Sequence, residues 1–487
     1  MAYRSQTDSL LQRPLPRWFD QAKLGLLIHW GPYSVPAWAE RSGTMQELWI
    51  TKGPSYYFKH NPYAEWYFNT MEIPGSGAQR HHRETYGPGV GYDDFASQFN
   101  DDSAKADVSA WAELFARAGA RYVVLTTKHH DGFLLWPSRH PNPHKPSYQA
   151  QRDIVGDLTE AVRSHGMKMG LYYSGGYDNT FNPTVIRDLR TAITAVPQSR
   201  EYADYCDAHL VELIERYEPS LLWNDIAYPA AANLAKLFAF YYRRVPEGVV
   251  NDRWTQFRLP PGRLRRALLF ALIRGVSLAW PLLPASRRRL QLQARWHHDF
   301  TTPEYEVYEE AREKKWEAVR GIGLSFGNNR TEREEDLLST EEIVRMLCDV
   351  VSKNGNLMLG VAPQPNGTFT EPQRRRLLEL GDWLAINGEA IFDTRPWQRA
   401  EGTTTDGVPV RFTCTDEALF AVVLGTPAGT RVTIEGLSAA HSTRVRLLGQ
   451  KQELAWEHAR HSLAIILPER LPQSPACAFR ISPAPGA

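Results

Sequence analysis

Apolar runs that stop abruptly in polar and aromatic residues recur along this chain, and amphipathic helical patterns separate them. Leu221-Leu222 runs into Trp223-Asn224-Asp225, and Leu26-Leu27-Ile28 into His29-Trp30-Gly31. Tyr122-Val123-Val124-Leu125 leads to Lys128-His129-His130-Asp131-Gly132, Gly170-Leu171 to Tyr172-Tyr173-Ser174, and Val249-Val250 to Asn251-Asp252-Arg253-Trp254. Between them Val108 to Ala118, Asp153 to Ser164, Arg200 to Tyr217 and Leu234 to Arg244 have helical periodicity. Further strands are read at 321–327 and 356–361. The helix between them opens on a capping box, Ser339-Thr340-Glu341-Glu342, and Glu371 to Asn387 closes the series. Strand–helix alternation predicts an α/β fold with a parallel sheet, and its extent over residues 1–395 favours a (β/α)8, TIM-like barrel. Such barrels build their sites from residues at the C-terminal ends of the strands.

Beyond about Trp397 the period changes to two. Short strands around Val408–Phe412, Ala418–Val423, Arg431–Ile434, Arg444–Leu447 and Ser462–Ile466 predict a C-terminal antiparallel β-sandwich over 396–487. It carries no chemical constellation; structural support is the first reading and weak glycan contact the second. A long segment from Ser34 to Gln98 reads as irregular, and connections of that length are usually functional. One insertion, at about 255–295, stands apart. Between Trp254 and Trp296 it has no Asp, Glu or Lys, but carries Arg258, Arg263, Arg265, Arg266, Arg274, Arg287, Arg288, Arg289 and Arg295. Leu264 to Leu283 is almost wholly apolar, with Arg263, Arg266 and Arg274 on one face. Three readings stand: packing on the barrel, a homo-oligomer contact, or an interfacial helix on anionic lipid. Packing or oligomerisation is preferred. Arg274, Pro281 and Pro284 argue against a spanning helix.

The formal net charge of +1 argues against a general nucleic-acid binder. Cys206, Cys348, Cys414 and Cys477 lack metal-ligand spacing, which fits a reducing compartment. Met1 to Gln12 is polar and has no signal-like core. A cytoplasmic location is expected, with periplasmic or secreted locations left open.

The strand-end residues are carboxylates, imidazoles, an arginine and several Trp and Tyr, a set suited to a sugar. Glycoside hydrolysis needs two carboxyl groups facing one bond. Asp225, at a strand end beside Trp223, is the candidate nucleophile, with helix capping as its alternative role. Glu304, in Asp299-Phe300-Thr301-Thr302-Pro303-Glu304-Tyr305, is a candidate acid and equally readable as a solvated loop residue. The rival class is a metal-dependent barrel hydrolase using His29, His129 and His130. Neighbours on a strand point to opposite faces, so His129 and His130 are not expected to share one ion. No metal and no cofactor is expected.

His29-Trp30-Gly31, Glu65-Trp66-Tyr67, Tyr92-Asp93-Asp94-Phe95, Lys128-His129-His130-Asp131-Gly132-Phe133, Tyr172-Tyr173-Ser174, Trp223-Asn224-Asp225 and Gly323-Leu324-Ser325-Phe326-Gly327 together resemble the motif series of family 29 glycoside hydrolases, the retaining α-L-fucosidases. The similarity covers about 15–395 in order. It implies hydrolysis of terminal α-L-fucosides on fucosylated oligosaccharides or glycoconjugates, through a covalent intermediate on Asp225. It implies fucose contacts from His29, Glu65, Trp66, His129, His130, Tyr172, Trp223 and Arg253. It favours Glu304 as acid/base, with Glu317 as the alternative. Two departures stand out: the basic apolar insertion, and Asn328 where Tyr is expected. A non-catalytic, membrane-associated fucose-binding module is the non-enzymatic alternative.

Overall fold

The computed structural model describes residues 10, 12–285, 288, 297–459 and 461–484. Most of the polar N-terminal segment, and residues 286–287 and 289–296 of the insertion region, lie outside them. Seven strands form one sheet in the order β5-β4-β3-β2-β1-β7-β6. They are β1 (Leu24–Ile28), β2 (Tyr122–Lys128), β3 (Lys168–Ser174), β4 (Leu221–Asp225), β5 (Val249–Val250), β6 (Trp316–Gly321) and β7 (Gly355–Val361). All their pairings are parallel. An irregular eighth segment closes the ring between β5 and β6. Asp299 donates its N–H to Val250 O at 2.9 Å, Glu317 N to Thr301 O at 2.8 Å, and Val319 N to Pro303 O at 3.0 Å. Pro303 has no N–H to give, which explains why this strand position is a run of bridges rather than a ladder. The result is the (β/α)8 barrel that the sequence predicts.

Strand side chains divide by the period of two. Leu26, Ile28, Val123 and Leu125 join the outer layer with the helices, whereas Leu27, Val124, Tyr122 and Trp223 fill the barrel interior. Burial on both faces makes these strands read as continuous apolar runs. Gly25 is required by this packing, since a Cβ there would lie 2.3 Å from the Tyr122 ring. The helices form where periodicity places them, and Asp107, Asp153 and Ser199 cap their N-termini.

Two expectations are corrected. The strand expected at 321–327 lies earlier, at Trp316–Gly321, and from Ile322 the chain turns over the barrel mouth. The sequence hides β6 because Glu317 and Arg320 interrupt its apolar pattern. The segment from Ser34 to Gln98 is not irregular either. It holds a succession of short helices, among them Met45–Thr51, Pro54–Lys59, Gly77–Thr85 and Asp94–Ser103.

With β9 at Pro409–Cys414, β11 at Arg431–Ile434, β12 at Arg444–Leu447 and β14 at Ser462–Ile466, the C-terminal region is an eight-stranded antiparallel β-sandwich in the order β11-β14-β13-β12-β15-β10-β9-β8. β8 (Arg395–Thr403), β13 (Glu453–Ala459) and β15 (Cys477–Ser482) were not among the strands read from the sequence. β10 (Leu419–Val423) is buried on both sides: Leu419, Ala421 and Val423 face the sandwich core, and Phe420 and Val422 join the barrel's helical layer. Trp383 Nε1 donates to Ala476 O at 2.9 Å, and Lys353 pairs with Glu401 at 2.7 Å across the same junction. All four cysteines are buried free thiols.

Candidate active site

The polar strand ends converge at the C-terminal mouth of the barrel. Asp225 ends β4, and the next residue, Ile226, has φ of 67°. A β-branched residue in that region is strained, and such strain persists where surrounding contacts fix the backbone. They do so here. Asn224 donates its side-chain N–H to Ala227 O at 2.9 Å and to Arg253 O at 2.7 Å, and Asn251 donates to Asn224 O at 2.9 Å. Asn224 and Asn251 thus lock the ends of β4 and β5 together and set Asp225 against Arg253.

Arg253 is the hub. Its Nη1 donates to Asp225 Oδ1 at 2.9 Å and its Nη2 to Glu304 Oε2 at 2.9 Å. Nε donates to Thr302 Oγ1 at 3.0 Å, and the guanidinium carbon lies 4.6 Å from the Trp223 ring centroid. One planar, permanently charged group therefore joins both carboxylates in a fixed fork. Asp225 also accepts from the Tyr172 hydroxyl at 2.6 Å. Burial works to raise its pKa, but Arg253, His130 and the Tyr172 hydrogen bond outweigh burial and hold it below the usual aspartate value. Glu304 accepts a second hydrogen bond, from the Tyr63 hydroxyl at 2.7 Å.

The histidines line the same cup. The His29 ring lies 5.0 Å from Tyr172 and 5.5 Å from His129, and His129 and His130 lie 4.0 Å apart. The expected opposition of His129 and His130 fails because β2 ends at Lys128, so neither residue obeys strand alternation. Lys128 turns outward into a fully buried pair with Asp178 at 2.9 Å, which pins the turn. His130 Nδ1 meets Ser174 Oγ at 2.6 Å, and that hydroxyl donates to Tyr177 O. Nδ1 is therefore the donor, leaving the Nε2 lone pair 3.7 Å from Asp225 Oδ2. Burial pushes His29 down to about 3 and His130 to about 4, so both rings are neutral at physiological pH. Burial also lowers His129. The Nδ1 atoms of His29 and His129 are buried with no hydrogen-bond partner among the described residues. Buried polar atoms without partners are costly, and these two are left available to a bound group.

Glu65 and Trp66 come from the long first loop. Glu65 Oε2 accepts from Gly327 N at 2.7 Å and Ser325 Oγ at 3.0 Å. Burial still raises its pKa to about 7. A Cβ on Gly327 would lie 2.9 Å from that oxygen, so the contact needs glycine. Asn328, where the family resemblance expects Tyr, is buried beside it in the chain. Trp66 meets the His130 ring edge-on at 5.1 Å. Glu317 is elsewhere. It lies on β6 inside the barrel, fully buried, accepting from the Tyr122 hydroxyl and from Trp223 Nε1 at 3.1 Å. Burial raises it to about 7.

Sequence reasoning missed Tyr63, Thr302, Ser174, Phe326 and the Asn224–Asn251 lock. Ser174 and Thr302 belong to segments already singled out, but their partners His130 and Arg253 lie 44 and 49 residues away, and Tyr63 meets Glu304 across 241. No group of three or more His, Cys, Asp or Glu among the described residues is placed to hold a metal ion.

The chain matches the family model for alpha-L-fucosidase over residues 1–263 and 283–389, and the alpha-L-fucosidase C-terminal domain over 402–482. It is 30% identical to tissue alpha-L-fucosidase of Rattus norvegicus, covering 96% of this chain and 89% of the relative. Against the tissue alpha-L-fucosidase of Homo sapiens it is also 30% identical, covering 98% of this chain and 90% of the relative. The crystal structure of Thermotoga maritima alpha-fucosidase in complex with fucose superposes with a TM-score of 0.81 at 38% identity, covering 98% of this chain and 100% of that one. With two family models in register along the chain and relatives alike over nearly its whole length, the protein belongs to the α-L-fucosidases, the family 29 glycoside hydrolases.

Proposed function

We propose that this enzyme cleaves terminal α-L-fucosides with retention, Asp225 acting as nucleophile and Glu304 as acid/base. The observation that carries the reading is Arg253, whose two terminal nitrogens each lie 2.9 Å from one of the two carboxylates. A guanidinium that reaches both keeps them close. Closeness suits direct attack, at about 5–5.5 Å separation, better than the ~6.5–9.5 Å that leaves room for an inverting water.

In the first step Asp225 attacks the anomeric carbon as Glu304 gives its proton to the leaving oxygen. Glu304 becomes a carboxylate facing Arg253 just as the ester removes the charge of Asp225. The arginine therefore faces one net anion throughout. In the second step Glu304 takes a proton from water, which attacks the anomeric carbon as its bond to the Asp225 oxygen breaks and the carboxylate is released. Neutral His29 and His129 can supply a donor and an acceptor each to sugar hydroxyls, whereas His130, whose Nδ1 donates to Ser174, offers only its Nε2 lone pair. A sugar O–H placed there would donate to His130 Nε2, an acceptor that otherwise faces Asp225 Oδ2 at 3.7 Å. Trp66, Tyr172 and Trp223 provide apolar walls, and Glu65 a further acceptor.

The test is trapping. A 2-fluoro fucosyl fluoride should leave a covalent adduct, and peptide mass spectrometry should place it on the peptide holding Asp225. Proton NMR should show α-fucose as the first product. An unlabelled enzyme with β-fucose formed first would refute the double displacement.

A further inference from the structure

The insertion forms a helix, Arg263–Ala279, none of whose residues is buried. Leu264, Leu268, Leu272, Val276 and Leu278 are 75%, 63%, 65%, 39% and 72% exposed, and Leu282 just beyond is 86% exposed. At ~100° per residue the five helical positions form one stripe about 160° wide. The opposite side, Leu269, Phe270, Ile273 and Ser277, is half-buried against the protein. Packing on the barrel therefore does not account for the outer stripe. Arg263 and Arg274 flank it on one edge, and Arg265 falls just inside the other, between Leu272 and Val276. Scattered exposed leucines are ordinary, but a contiguous stripe of this kind is a contact surface.

The helix is firmly mounted. Trp280, at its end, donates Nε1 to Trp49 O at 3.0 Å and meets the Trp49 ring edge-on at 5.8 Å. Arg190 lies over Phe270 at 4.8 Å. Trp49 touches Tyr57, and Tyr57 touches Tyr63, the hydroxyl partner of Glu304. The stripe therefore sits on the loops at the active-site end of the barrel. The alpha-L-fucosidase family model passes over these residues, matching up to 263 and resuming at 283.

We propose that Arg263–Ala279 docks the enzyme on an anionic lipid surface, lying in the plane of the interface with its leucines among the acyl chains and its arginines among the headgroups. Charge selects this occupant. From Trp254 to Trp296 the sequence has nine arginines and no acid. A two-fold pairing of the helix with a second copy would set arginines against arginines with no carboxylate to answer them. An anionic headgroup layer over hydrocarbon answers both the charge and the apolar stripe. No helix among the described residues is long and apolar enough to cross a membrane, which fits a helix that lies on the surface.

The test is sedimentation of the full chain with unilamellar vesicles. It should pellet with phosphatidylcholine vesicles that contain phosphatidylglycerol, and stay in solution with phosphatidylcholine alone. Leu268→Glu/Leu272→Glu, both at exposed sites, should weaken binding at least ~10-fold. Arg263→Ser/Arg274→Ser should weaken it and flatten its salt dependence. Both variants should keep the wild-type melting temperature and turnover of a soluble aryl fucoside. Absent binding of the wild type to anionic vesicles, or undiminished binding of the glutamate variant, would overturn the proposal. So would a wild-type dimer in light scattering that the glutamate variant dissociates, since a second copy would then cover the stripe.

Discussion

Trp223 stands between two buried carboxyl sites that behave in opposite ways. Above its ring, Arg253 joins Asp225 to Glu304, and Asp225 is held below the usual aspartate value despite burial. At its indole nitrogen, Glu317 has only a phenol and an indole as direct donors, and burial lifts it to about 7. Both sites are hydrogen-bonded. What differs between Asp225 and Glu317 is a cation in contact, and that decides whether burial is outweighed or prevails. Glu317 holds the indole of the tryptophan on which the arginine rests, so the inner site supports the outer one.

Mutations separate the two sites. Asp225→Gly should lower turnover on the order of 10⁴-fold or more, with azide restoring part of it as a β-fucosyl azide. Steady-state rates and product NMR check this, and near-normal turnover would remove Asp225 from the mechanism. Glu304→Ala should cost ~10²–10⁴-fold on fucosides with basic leaving groups and far less on activated aryl fucosides. If Glu317→Ala shows that leaving-group dependence and Glu304→Ala does not, the inner site is the reactive one and the contrast collapses.

Arg253→Lys should move the acidic limb of kcat/KM upward by about one pH unit or more, because the cation that favours ionised Asp225 no longer forks onto it. An unmoved limb would mean that another group sets it. The smallest effect is expected at Glu317→Gln, which keeps a neutral hydrogen-bonding group and should leave turnover near wild type. Its signature is in stability. The folded-state value of about 7 lies above the unfolded one, so stabilisation by Glu317 is full at low pH and fades as pH rises through about 7. Thermal melts from acid to neutral pH should show the wild type losing ground to the variant over that window, with a constant difference above it.

Much of this was legible in the chain. Strand ends such as Trp223-Asn224-Asp225 and Tyr172-Tyr173-Ser174 are local patterns, and local patterns survive in sequence. The barrel, the sandwich, Asp225 and the imidazole set follow from them and from the motif order. β6 did not, because an interior acid and an arginine broke its apolar run.

The sequence by itself determined that the polar ends of the first five strands gather at the mouth of the barrel, since strand termini are properties of neighbours along the chain. Only the tertiary structure brought Tyr63 to Glu304 across 241 residues, and Ser325 to Glu65 across 260. It alone set Glu304 at the mouth and Glu317 in the interior, two glutamates that look alike in sequence. It also turned Leu269, Phe270 and Ile273 inward and left Leu264, Leu268 and Leu272 outside. A helix apolar on both sides has no sequence signal for which side meets protein. That choice is made by the surface it lands on.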